Sequence, residues 1–123
     1  VNKVLVVDDS AAMRAYVRAA LESGGYETVE ASSGLEALRL LPRGPWSAVI
    51  TDINMPDLSG LELVSVIRRS QHNKTPIVLI STEGRDSDRT RGLSLGANAY
   101  VTKPFGPEAL LGALNPLVTA GGA

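Results

Sequence analysis

Val4-Leu5-Val6-Val7-Asp8-Asp9-Ser10 decides how this chain is read. Its apolar, mostly β-branched run makes a strand buried on both faces, because a half-exposed strand would alternate apolar with polar. The run stops abruptly at two acids. Met13, Val17, Ala20 and Leu21 then recur at i, i+4, i+7 and i+8, which is one face of a helix. Asp9 or Ser10 caps its start, and Gly24-Gly25 ends it. A doubly buried strand running into an amphipathic helix is the opening of a parallel crossover unit.

The alternation repeats outward from there. Tyr26 to Ala31 reads as a second, more polar strand, and Leu35 to Leu41 as a short helix closed by Pro42 and Gly44. Ala48-Val49-Ile50 is a third strand ending at Asp52, and the loop Ile53 to Ser59 leads to a helix through Leu63, Val64 and Ile67. Ile77-Val78-Leu79-Ile80 is a fourth strand stopped by Ser81-Thr82, followed by a charged helix from Arg85 to Leu95 that Gly96 closes. Ala99-Tyr100-Val101 is the fifth strand, and the last helix carries Leu110, Leu111 and Leu114, with Val118 its last apolar position. Pro116 is expected to end or kink it. Right-handed crossovers then give an α/β fold, a doubly wound (βα)5 parallel sheet. The 123 residues suit one domain, 1–123, in which 119–123 read as a flexible tail.

Composition narrows the function. Twelve Lys and Arg against 13 Asp and Glu leave a formal charge of −1, which supplies no field for nucleic acid or an anionic membrane. No apolar run approaches the roughly 18 residues of a membrane span, and no signal-peptide pattern opens the chain. With no Cys there is no thiolate chemistry. The expectation is a cytoplasmic protein with no direct nucleic-acid or membrane partner.

In such a sheet, ligands bind outside the carboxyl ends of the strands. Asp8, Asp9, Asp52, Ser81, Thr82 and Lys103 all stop or follow a strand, so they converge on one edge. A single strand-ending Asp is ordinarily a cap or turn residue; their convergence is what matters. Two carboxylates 4 Å apart repel by about 4 kcal/mol at an effective dielectric near 20. Lys103 compensates one charge of three, and a hard divalent cation compensates the rest. Mg²⁺ suits carboxylates and water, and no His or Cys in the motif suggests zinc. Metal, hydroxyl and ammonium together suit a phosphoryl group, with one Asp as the nucleophile that accepts it.

Val6-Val7-Asp8-Asp9-Ser10, Asp52 through Gly60, Ser81 and Lys103-Pro104-Phe105, in that order and at those intervals, resemble the motif set of response-regulator receiver domains, and among them the single-domain chemotaxis type. The resemblance covers Lys3 to about Val118. It implies the flavodoxin-like strand order 2-1-3-4-5 and Asp52 as phosphoacceptor for a histidine kinase. It also implies Asp9, Asp52 and the backbone carbonyl of Asn54 as direct Mg²⁺ ligands, with Asp8 acting largely through water. Ser81, 22 residues before Lys103, takes the switch-hydroxyl position. Lys103 becomes the phosphate-binding ammonium, and the Lys103-Pro104 bond is implied to be cis. Tyr100 becomes the aromatic switch, and Asn54 and Glu83 tune dephosphorylation. A downstream protein or attached output domain would read the face of the fourth helix, fifth strand and fifth helix.

Other residues have plainer readings. His72 is expected in an exposed loop, and Arg85, Arg89 and Arg91, interleaved with Asp86 and Asp88, on a solvated helix face. Asp57 and Ser59 read as helix caps, and Trp46, six residues before Asp52 and so about 20 Å away, as a core anchor. Ile53 stands where the chemotaxis type has Trp, and Asp86, Arg89 and Ala113 replace a Lys, an Ile and a Lys on its output face, so a flagellar target is not implied. The competing classes are a receiver within a larger multidomain regulator, a phosphorylation-independent binding module, and a Mg²⁺-dependent phosphohydrolase with an Asp nucleophile. The last ordinarily has Asp-x-Asp on its first strand, whereas Asp8 and Asp9 are adjacent. On the leading reading the chain is a signalling receiver and not an enzyme acting on a separate substrate.

Overall fold

The computed structural model describes residues 2–82 and 86–122, and the side chains of those through 119. The elements run β1 (Lys3–Val7), α1 (Ala11–Ser23), β2 (Glu27–Ala31), α2 (Gly34–Leu40), a 3₁₀ turn (Leu41–Arg43) and β3 (Ala48–Asp52). Then come α3 (Gly60–Arg68), β4 (Ile77–Thr82), α4 (Asp86–Leu95), β5 (Ala99–Lys103) and α5 (Pro107–Gly122). All neighbouring strands pair in parallel, in the order β2-β1-β3-β4-β5. The doubly wound sheet expected from the strand pattern is therefore present, with the order the resemblance implied.

Each buried strand divides its side chains between two cores. Leu5, Val49 and Leu79 face a core completed by Leu63, Val64 and Ile67 of α3. Val6, Ile50, Ile80 and Val101 face the other, completed by Val17 and Leu21 of α1 and Leu110 and Leu114 of α5. That two-sided burial explains why β1, β3 and β4 read as continuous apolar runs, while edge strand β2, with its Glu27 and Glu30, does not.

The helices covering the first core are unequal. Helix α3 buries Gly60, Leu61, Leu63, Val64 and Ile67, whereas α4 buries Gly92 alone among its residues. A Cβ at Gly92 would stand 2.2 Å from Leu79 Cδ1, so the bare glycine lets α4 sit against β4 with the Leu79 side chain where it is. Leu93 remains 42% exposed, and of the α4 leucines Leu95 packs partly against the core.

Capping follows the sequence closely. Ser10 accepts a hydrogen bond from the Met13 amide at α1, and Ser33 from the Glu36 amide at α2. Ser59 and Glu62 form a reciprocal capping box at α3. Asp57 is a cap as expected, but of a helix distant in sequence: it accepts from the Gly34 and Leu35 amides at the start of α2, 3.4 and 3.0 Å away. Trp46 is buried as expected, its Nε1 donating to the Leu41 carbonyl at 2.9 Å.

Three expectations need correction. Helix α5 continues through Pro116 to Gly122 rather than ending at the proline; Ala123 lies outside the described residues. Proline there removes one amide donor, and Leu117 and Val118 beyond it pack against the second core and hold the following turn. Strand β5 extends to Lys103, two residues beyond its apolar core, because Ser81 and Thr82 of β4 continue to pair with Thr102 and Lys103. His72 is half-buried, lining a cleft of about 490 Å³ with Trp46 and Pro45 at the amino end of the strands. The Lys103-Pro104 peptide is cis, as the resemblance implied, and so is Gly44-Pro45, which nothing in the sequence marks.

Candidate functional site

The carboxyl ends of β1, β3, β4 and β5 bring the acids, the hydroxyl and the ammonium to one edge. Asp8 follows β1, Asp52 is the last residue of β3, Ser81 lies at the end of β4, and Lys103 ends β5. Carboxylate oxygens of Asp8, Asp9 and Asp52 all lie within 4.8 Å of one another. Lys103 Nζ stands 3.4 Å from Asp52 Oδ1, an ion-pair distance without hydrogen-bond alignment. Asp8, Asp52 and Ser81 are buried, whereas Asp9 is exposed.

Two local devices set this geometry. The Asp8 carboxylate accepts from the Ser10 amide at 2.9 Å, and its carbonyl accepts from Arg14 Nη1 at 2.7 Å. Arg14 Nε also pairs with Glu30 of β2 at 3.0 Å, so the β1–α1 turn is tied to the neighbouring strand. On the other side, α3 begins directly against the end of β3. A Cβ at Gly60 would fall 2.3 Å from the Asp52 carbonyl oxygen, and the Gly60 amide donates to the Ile53 carbonyl at 2.8 Å. A side chain at Gly60 would push Asp52 out of place.

The site is electrostatically unfinished. Among the described residues, Asp8 Oδ2, Asp52 Oδ1 and Ser81 Oγ are buried without a hydrogen-bond partner, whereas buried polar atoms in native proteins are nearly always satisfied. Burial pushes the Asp52 carboxyl above its ordinary value of 3.8, and repulsion from Asp8 adds to this while Lys103 opposes it. Asp8 is likewise raised, chiefly by burial, against the Ser10 amide and Lys103. Three oxygen donors converging without His or Cys, with orphaned lone pairs, fit a hard cation such as Mg²⁺.

The remaining expected site residues are spread around this edge. Asn54 is exposed and borders a shallow hollow with Met55, Pro56 and Asp88. Tyr100 is 41% exposed, its ring turned away from the core. Glu83, together with Arg85, lies outside the described residues. Arg89 is not a solvated residue: it is 22% exposed and packs over Tyr100. Sequence pattern placed it by its charged neighbours, but the interleaved acids do not report that β5 lies within reach of a long side chain. Sequence reasoning also missed Arg14 and Tyr16. Tyr16 donates to the Phe105 carbonyl at 2.6 Å and meets the Phe105 ring edge-on, which anchors the loop after Lys103 to α1.

Among the described residues no helix is long and apolar enough to cross a membrane. The family model described as the response regulator receiver domain matches residues 4–115. The transcriptional regulatory protein SrrA of Staphylococcus aureus is 32% identical over 107 residues, covering 87% of this chain but 44% of its own length. This chain thus spans less than half of that curated relative. Among solved structures, chemotaxis response regulator CheY4 of Vibrio cholerae is 38% identical with a TM-score of 0.87, covering 94% of this chain and 98% of that one. A response regulator receiver domain protein from Clostridium thermocellum superposes with a TM-score of 0.93 at 27% identity, covering 99% of this chain and 98% of that one. A match this extensive, on a sheet whose carboxyl edge gathers the acids, hydroxyl and ammonium the motifs promised, means that the chain belongs to the response regulator receiver domains of two-component systems.

Proposed function

We propose that this receiver takes a phosphoryl group from the phosphohistidine of a histidine kinase onto Asp52 and passes the change to a partner. Asp9, Asp52 and the Asn54 backbone carbonyl would hold Mg²⁺ directly, with Asp8 acting largely through water. When bound, Mg²⁺ supplies positive charge to the crowded acids and to the phosphoryl oxygens, so that an anionic carboxylate can approach an anionic donor. The supporting observation is the set of buried oxygens on Asp8, Asp52 and Ser81 that make no hydrogen bond among the described residues and face one edge beside Lys103.

The chain's own groups then have distinct tasks. Asp52, fixed at the end of β3, presents a carboxylate oxygen; its new O–P bond forms as the donor's N–P bond breaks and the histidine leaves with its ring proton. Lys103 meets one phosphoryl oxygen with its ammonium, and the Ser81 hydroxyl donates to another. Ser81 reaches that oxygen by moving toward it, and Tyr100 fills the space it leaves. This biases an equilibrium between two packings of the α4–β5–α5 face. Asn54 and Glu83 tune hydrolysis of the acyl phosphate and give it a short lifetime. The module works in the cytoplasm. It acts on itself once per signal rather than turning over a substrate, and a separate downstream protein or an attached output domain reads its face without direct nucleic-acid contact by the receiver.

Radiolabelled acetyl phosphate tests this reading. Label should enter the wild-type protein with Mg²⁺, and be lost with a chelator or in Asp52→Asn. Incorporation that persists in Asp52→Asn would remove Asp52 as the acceptor.

A further inference from the structure

Arg89 has no task in the mechanism above, yet its side chain ties α4 to β5. Its guanidinium carbon stands 4.9 Å from the centroid of the Tyr100 ring. Nη1 donates to Thr102 Oγ1 at 3.1 Å, and Nη2 pairs with Asp86, three residues earlier on α4. One residue of α4 thus holds two alternate residues of β5 that share a face. That face is also the one Ser81 occupies, since Leu79 pairs with Tyr100 and Ser81 with Thr102 in register.

We propose that Arg89 is a positioning residue that latches the Tyr100 ring outward in the unphosphorylated receiver. The proposal rests on the function above, in which an inward Tyr100 marks the phosphorylated state. A guanidinium lying on an aromatic face is held by the ring's negative quadrupole and by stacking, and Tyr100 cannot turn inward without leaving it. The fork is also held by Thr102, so it does not simply follow the ring. Asp86 also weakens the latch by partly neutralising the cation. Leu93 and Tyr100 are the large apolar side chains left exposed on α4 and β5, so the latch also sets how much aromatic surface this face presents.

A cation over an exposed ring changes the ratio of two conformers by about two- to fivefold. By linkage, a ligand that selects the inward form must gain affinity by the same factor when the latch is removed, provided the inward form is the minor one. The test uses the full chain with assigned ring resonances of Tyr16, Tyr26 and Tyr100, and beryllofluoride with Mg²⁺ as the probe.

In Arg89→Ala and Arg89→Gln, the probe-free Tyr100 resonance should move toward its beryllofluoride-bound position. Apparent beryllofluoride affinity should tighten about two- to fivefold. Arg89→Lys should restore part of both effects, and in a Tyr100→Leu background the affinity gain should vanish. An unmoved Tyr100 resonance in a folded Arg89 variant overturns the latch, and so does an affinity gain that survives Tyr100→Leu. If Arg89→Ala does not fold, Arg89→Gln and Thr102→Val are read by the same criteria. A wild-type protein indifferent to beryllofluoride would instead overturn the proposed function, and the probe-free ring position would still decide the latch.

Discussion

The two ends of the same five strands solve opposite problems. At the amino end, Arg68 of α3 donates to the carbonyls of Gly96, Asn73 and Thr75 and to Asn98 Oδ1, at 2.8–3.1 Å. Asn98 Oδ1 also accepts from the Ile77 amide at the start of β4, and Trp46 donates to Leu41. At the carboxyl end, Asp8, Asp52 and Ser81 are buried with oxygens that make no hydrogen bond among the described residues, Lys103 standing at ion-pair distance from Asp52. One end closes its polar groups and fixes the loops; the other keeps them open and relies on what binds there. Polar closure and chemistry are thereby kept on separate edges of one sheet.

The contrast can be broken or sharpened by measurement. Arg68→Ala should lower unfolding free energy by about 2–4 kcal/mol in urea titrations, because it strips several charge-assisted hydrogen bonds at once. It should leave phosphorylation of the folded fraction intact; loss of phosphorylation in folded protein would show that the two ends are coupled. Added Mg²⁺ should stabilise the wild type by about 2.7 kcal/mol at a concentration a hundredfold above its Kd, as thermal melts would show, and much less in Asp52→Asn.

Asp8→Asn should act in the reverse sense to Arg68→Ala. Without metal it should stabilise the domain at pH 7 by about 1–2 kcal/mol, since it removes one charge from a buried cluster of acids that Lys103 compensates only in part. The smallest effect is in pH. Asp8 and Asp52 hold protons more tightly folded than unfolded, so their penalty is fully present above their raised values and disappears as pH falls toward 3.8. Metal-free stability from these groups therefore rises on going from pH 7 toward pH 4, and the slope should flatten in Asp8→Asn. Asp57, lowered chiefly by the Leu35 amide, contributes the opposite slope only below 3.8.

Legibility in the sequence followed the same division. The strands were legible because burial on both faces leaves unbroken apolar runs, and the acids were legible because they stop those runs. Ser10, Ser33 and Ser59 could be recognised as caps because capping is local. What escaped was what long side chains do across sequence distance. Arg68 reaches loops on both sides of β4, Arg89 reaches β5, and Asp57 caps α2 across 22 residues. Each looks from its neighbours like an ordinary surface charge or a cap of the nearest helix. The length of α5 escaped for a different reason: Pro116 is a local signal to stop that the following turn overrode.

Gly92 gives α4 a particular evolutionary and experimental vulnerability. An alanine methyl there would collide with the Leu79 Cδ1 methyl, so either that buried leucine turns aside or the methyl becomes a wedge that lifts the helix from its strand while the acidic edge stays in place. A receiver carrying that wedge would still accept its signal at one corner of the molecule, yet transmit it through a surface whose two halves no longer move as a pair.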